Sequence, residues 1–136
     1  MSKEKRLLVI LDTSALLYPF QEGVDFIRGM SKGLQVPYEL AVTQGTINEL
    51  KRLCNSDRPL LANASRKALS FAERLRRLRT SGDMSEDERI VKLAKELDLA
   101  VATADSALRR KLRKMGLTVI FVAKGKRIRI EGKAGV

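Results

Sequence analysis

Four short runs rich in apolar and β-branched residues punctuate this chain, at residues 6–12, 39–43, 99–103 and 118–122. Between them, apolar residues recur at spacings of three and four, a period that suits a helix and not a strand. Strands alternating with helices fold as an α/β domain, with a mainly parallel sheet and helices on both faces. The helical periods fall at 24–30, ended by Gly29 and Gly33, at 44–54, with Ile47, Leu50, Leu53 and Cys54, and at 62–78. The last carries Ala64, Ala68, Phe71, Leu75 and Leu78 on one face, and Arg66, Lys67, Arg74, Arg76, Arg77 and Arg79 on the other. Ser85 and Glu88 match a capping box that opens a helix through Ile90, Val91, Ala94 and Leu97. A final helix is expected over 105–115, with Gly116 as its stop. Residues 126–131 (KRIRIE) alternate basic and apolar side chains and read as a half-exposed edge strand after a turn at Lys124 and Gly125. The segments 55–59 and 79–83 read as loops.

With 136 residues, one domain is expected over 1–136, its core at about 6–122, with 123–136 as a C-terminal edge strand and tail. Cys54 is the single cysteine, so neither a disulfide framework nor a cysteine metal site is expected. No apolar run reaches the ~18–20 residues of a membrane span, and the expectation is a cytoplasmic protein. Charge says more. Lys and Arg number 27 against 16 Asp and Glu, a net +11, which favours a polyanionic partner, nucleic acid ahead of an anionic membrane. A heat-adapted surface is the alternative source of such charge. Histidine is absent. Catalysis must therefore run on carboxylates, hydroxyls, Lys or a hard metal ion.

In an α/β sheet, ligands bind beyond the carboxyl ends of the strands. Asp12 ends the first run, in RLLVILDTSALLYPF. A helix starting there needs one capping group, which Thr13 or Ser14 could supply, so Asp12 reads as surplus to the fold. Asp105 follows the third run, Asp87 lies in the first turn of the preceding helix, and Glu49 sits one turn into the helix after the second run. Each has an ordinary role open to it: an N-cap for Asp105, the helix dipole for Asp87, a solvated face for Glu49. Together they place four acids near one sheet edge. Clustered carboxylates repel, and a hard divalent cation relieves that repulsion; an all-oxygen set suits Mg²⁺ or Mn²⁺. On a basic protein, such an ion points to phosphodiester chemistry. Ser14 has no histidine to activate it as a nucleophile, and Gly125-Lys126 lacks the rest of a phosphate-binding loop.

The ordered motifs LLVILDTSALL, INEL, SEDERIVKLA and VATADSALRRKL resemble those of the PIN-domain ribonucleases, over about residues 7–122. The resemblance implies a single three-layer α/β/α domain and metal-dependent RNA hydrolysis that leaves a 5′-phosphate and a 3′-hydroxyl. It implies Asp12, Glu49, Asp87 and Asp105 as catalytic and metal-holding acids, with Thr13, Ser14 and Thr103 supporting them. Asp83, Glu86 and Glu88 lie close enough to Asp87 to leave the third position open among them. The stretch ATADSALRRKLRKMG is similar to archaeal PIN proteins related to ribosomal RNA processing nucleases; VapC-type toxins share the four acids. The implied partners are RNA and, by subfamily, an antitoxin or a ribosome-assembly protein, with a homodimer also open. A scaffold that binds RNA without cutting it is the non-enzymatic alternative. Arg76, Arg77, Arg109, Arg110, Arg113 and Lys114 form the expected RNA track. Tyr18, Phe20 and Tyr38 read as core or rim, so recognition should rest on phosphates and RNA shape.

Overall fold

The computed structural model describes residues 6–123 and 127–132. Among them a six-stranded sheet runs in the order β3-β2-β1-β4-β5-β6. Its strands are β1 (Leu7–Leu11), β2 (Tyr38–Thr43), β3 (Arg76–Leu78), β4 (Ala100–Thr103), β5 (Val119–Ala123) and β6 (Arg127–Glu131). All neighbours pair in parallel except β5 and β6, which are antiparallel. The helices are α1 (Thr13–Glu22), α2 (Phe26–Gly33), α3 (Gln44–Leu53), α4 (Pro59–Ala72), α5 (Glu86–Leu97) and α6 (Ser106–Lys114).

Strand alternation divides the core in two. Val9 and Leu11 of β1, Ala100 and Ala102 of β4, and Ile120 and Val122 of β5 face the layer of α1 to α4, where Leu16, Phe26, Met30, Leu50 and Ala68 are buried. Ile10, Val101, Val119 and Phe121 face Ile90, Val91, Leu108 and Leu112 of α5 and α6. This is the three-layer α/β/α arrangement, with four helices on one face and two on the other. Covered on both faces, the central strands read as unbroken apolar runs.

Three expectations change. The period over 62–78 does not continue as one helix: α4 ends at Ala72, and Arg76 and Arg77 lie on β3, paired with Ala41 and Val42 of β2. Leu75 and Leu78, which prolonged the helical spacing, pack instead on opposite faces of the sheet. A basic, three-residue strand suits a sheet edge, where charge discourages further pairing. The start of α4 is Pro59, which fits the first helical position because its missing N–H would have no partner there. Pro19 sits inside α1. Gly29 does not end α2 but lies inside it; the helix closes at Gly33. A Cβ on Gly29 would come within 2.6 Å of Ile128 Cγ1, and one on Gly33 would overlap Ile130, so both let β6 approach the helix. Gly116 does stop α6, at φ +74°. Of the expected edge strand, Arg127–Glu131 form β6; Lys124, Gly125 and Lys126 lie outside the described residues.

Candidate active site

The order β3-β2-β1-β4 places a topological switch between β1 and β4, because the chain winds outward in opposite directions from that pair. Asp12 stands at the end of β1, with its N–H bonded to Ala102 O of β4 at 3.1 Å. It is not surplus to the fold: Asp12 is itself the N-cap of α1, and Oδ1 accepts from Ala15 N at 2.8 Å. Ser14 Oγ donates to the same oxygen at 2.7 Å, and Thr103 Oγ1 donates to Oδ2. Ser14 Oγ in turn accepts from Ala104 N at 2.9 Å, and Thr103 Oγ1 accepts from Asp105 N at 3.0 Å. Ser14 and Thr103 thus weld the ends of β1 and β4 and orient Asp12. Of the four lone-pair positions on its carboxylate, these bonds use three. One remains for a ligand.

Beyond this pair opens a cleft of about 370 Å³, lined by Asp12, Thr13, Ser14, Thr46, Glu49, Glu86, Asp87 and Asp105, with Leu17, Leu53 and Ile90 as apolar wall. All four acids expected from the sequence line it. Asp105 caps α6, and Oδ1 accepts from Ala107 N at 2.8 Å. Glu49, half-exposed on α3, stands 3.6 Å from Arg52. Asp87 makes no side-chain hydrogen bond among the described residues and is open to the cleft. Of the other nearby acids, Glu86 joins the lining; Asp83 and Glu88 do not. Glu88 donates its N–H to Ser85 Oγ at 3.2 Å, the first half of the expected capping box.

The electrostatics record the crowding. Burial pushes the Asp12 carboxyl up from 3.8 to about 6, against the hydrogen bonds of Thr103, Ala15 and Ser14, and the Asp87 charge adds to the rise. Asp87 is also raised, first by partial burial, then by the charges of Asp105 and Glu49; Lys111 opposes them. Lys111 is the cation that sequence reasoning left off the site. It was visible only as one residue in a basic run, and only the position of α6 brings its charge near Asp87. Among the described residues no three Asp, Glu or Cys side chains are close enough as they stand to hold a metal ion. The donor chemistry nevertheless fits a hard divalent cation: every polar lining group is an oxygen, and mutual repulsion of carboxylates is what a cation relieves.

The expected RNA track divides. Arg109 is committed elsewhere: Nε and Nη2 bond Glu131 at 2.6 and 2.8 Å, and the guanidinium lies 4.4 Å from the centre of the Phe121 ring. Arg113 donates to Leu117 O at 2.8 Å. Arg76 pairs with Glu39 at 3.2 Å, and Arg77 donates to Gln44 Oε1 at 3.3 Å. Arg110 and Lys114 are exposed and make no side-chain bond among the described residues. Tyr18 is half-buried, with its hydroxyl donating to Ala123 O at 3.1 Å, whereas Phe20 is exposed.

Among curated proteins, none matches the chain. A solved structure described as that of the PIN domain endonuclease Utp24 is similar over 95% of this chain and 94% of its own, at 27% identity and a TM-score of 0.75. The family model described as a PIN like domain matches residues 9–125, which include the cleft and all four acids. The chain belongs to the PIN-like domain family.

Proposed function

We propose that the chain is an Mg²⁺- or Mn²⁺-dependent endoribonuclease acting at the cleft of Asp12, Glu49, Asp87 and Asp105. The observation that carries the reading is the gathering of these four carboxylates at the switch point of a protein with net charge +11. The likeness to an endonuclease of the same fold supports a nuclease over a binding scaffold. RNA is the substrate our reading favours, and ribosomal RNA processing is the role supported by the resemblance of the segment around Asp105.

A bound divalent cation would lower the pKa of an attacking water and stabilise charge on the phosphate and leaving oxygen. Asp12, Asp87, Asp105 and Glu49 would hold it. Thr103 and Ser14 keep Asp12 in one orientation, so its remaining lone pair faces a fixed direction. Lys111 offers a positive charge near Asp87 that would favour a phosphodiester there. Leu17, Leu53 and Ile90 form the apolar part of the cleft wall. Attack of water on phosphorus, with departure of the 3′-oxygen, gives the expected 5′-phosphate and 3′-hydroxyl.

The test is incubation of purified protein with structured and single-stranded RNA in Mn²⁺, Mg²⁺ or chelator, beside Asp12→Asn. Internal cleavage that needs the ion and disappears in the variant is the expected result. Cleavage that persists in chelator, or at the wild-type rate in Asp12→Asn, overturns the assignment.

A further inference from the structure

Glu86 is the first residue of α5, yet its carboxylate lies over the start of α3. Thr43 Oγ1, at the N-cap of α3, donates to Glu86 Oε1 at 2.6 Å. Arg89 stands 3.7 Å from Oε2, which is buried and accepts no hydrogen bond among the described residues. Gly45 makes the room: a Cβ placed on it would overlap the Glu86 carboxylate. Nothing else explains that glycine. It is helical, it is not among the glycines with positive φ, and in a helix Ala would be the better residue. The unpaired N–H groups at the start of α3 favour a negative charge in that place. One carboxylate therefore joins the beginnings of two helices, of which α3 carries Glu49 and α5 carries Asp87.

We propose that Glu86 is a positioning residue of the candidate metal site: resting on Thr43 and Gly45, it locks α5 against α3 and sets the gap between Asp87 and Glu49. This rests on the metal-dependent reading of the cleft. It adds that the geometry of the cleft depends on a side chain outside the four acids, and on a glycine that must stay without a side chain. Thr43 and Gly45 would then matter to metal affinity without touching the ion.

The experiment measures Mn²⁺ affinity, from the electron paramagnetic resonance of free Mn²⁺, and thermal unfolding in chelator. It compares wild type, Glu86→Ala, Glu86→Gln, Gly45→Ala and the double variant Gly45→Ala/Glu86→Ala. Removing a group that orients metal ligands commonly weakens affinity about 10- to 100-fold, and Glu86→Ala should fall in that range. Glu86→Gln should recover most of the affinity, because its amide oxygen still accepts from Thr43; it also serves if Glu86→Ala does not fold. Gly45→Ala should lower both Mn²⁺ affinity and melting temperature, despite the better helix propensity of Ala. On the Glu86→Ala background it should raise the melting temperature, since the colliding carboxylate is gone. Wild-type affinity in Glu86→Ala, or a Gly45→Ala that is stabilising while Glu86 is present, overturns the proposal. Wild type that binds Mn²⁺ but leaves RNA uncut defeats the nuclease reading alone, and the affinities still judge Glu86. Wild type that binds no Mn²⁺ overturns both.

Discussion

Asp12 serves the fold through Oδ1 and the cleft through Oδ2, and the two duties pull its protonation in opposite directions. Ala15 N and the Ser14 and Thr103 hydroxyls favour the carboxylate, but burial outweighs them and carries the pKa from 3.8 to about 6. A raised folded pKa means that the native state binds the proton more tightly than the unfolded chain. In chelator, the Asp12 contribution to stability is therefore full below pH 3.8 and is lost as pH rises through about 6. Each pKa unit corresponds to about 1.4 kcal/mol, so the loss by neutral pH is about 3 kcal/mol. Asp12→Asn removes this dependence. We expect it to be more stable than wild type at pH 7 by up to about 3 kcal/mol, with the gap closing towards pH 4. Urea denaturation at several pH values in chelator checks this; a gap that stays constant with pH assigns the burial cost elsewhere. RNA cleavage by the same variant should fall at least ~10²-fold, as when a preorganised charge-stabilising group is lost. Asp87 gives a sharper test of register. Asp87→Asn should abolish cleavage and Glu88→Gln should leave it near wild type, because only Asp87 of the two lines the cleft. The reverse pair of results in a cleavage assay moves the ligand role to Glu88.

At the scale of elements, what could be read from sequence follows what local residues decide. β1, β2, β4 and β5 were legible because burial on both faces leaves runs such as LLVIL and VIFVA with no other stable setting. β3 was not: its three residues, RRL, continue the apolar spacing of α4, and only pairing with β2 makes them a strand. The same limit hid the use of Glu86, since nothing near it in sequence points to Gly45. Three of the four acids lining the cleft were legible because Asp12, Asp87 and Asp105 sit at helix starts that the local pattern announces. Arg109 shows the opposite case. Its sequence neighbours are basic, so it read as part of an RNA track, but the pairing of β6 with β5 brings Glu131 to it. The Glu131 carboxyl is accordingly held below its ordinary range by the Arg109 hydrogen bond. Arg109→Ala should lower the melting temperature and leave RNA affinity in chelator unchanged, because its guanidinium already bridges α6, β5 and β6. An affinity loss with an unchanged melting temperature, by calorimetry and fluorescence anisotropy, would return Arg109 to the RNA surface.

Taken as a whole, the molecule joins a negative cleft to a positive body, and the two act differently on a polyanion. Without a divalent cation, the acids at the switch point repel phosphate, so binding must be carried by the surrounding Lys and Arg. Few aromatics are available to stack bases: two Tyr, four Phe and no Trp in the chain. Affinity in chelator should therefore depend on salt more than on sequence. Each phosphate of a single strand neutralised adds about −0.7 to the log–log salt slope, so five contacts give roughly −3.5. On α6, Arg110, Lys111 and Lys114 are exposed, and the helix is capped by Asp105, which lines the cleft. RNA lying on them would reach the four acids without crossing the sheet. Replacing these three by Ala should flatten the slope by roughly 2, and weaken unrelated RNA sequences alike. If the three only solvate α6, stability shifts and the slope does not. Titrating labelled RNA at several salt concentrations separates the two, with melting temperatures measured on the same samples. An unchanged slope with an intact fold would move the RNA track to the basic edge at Arg76 and Arg77, on the far side of the sheet from β4.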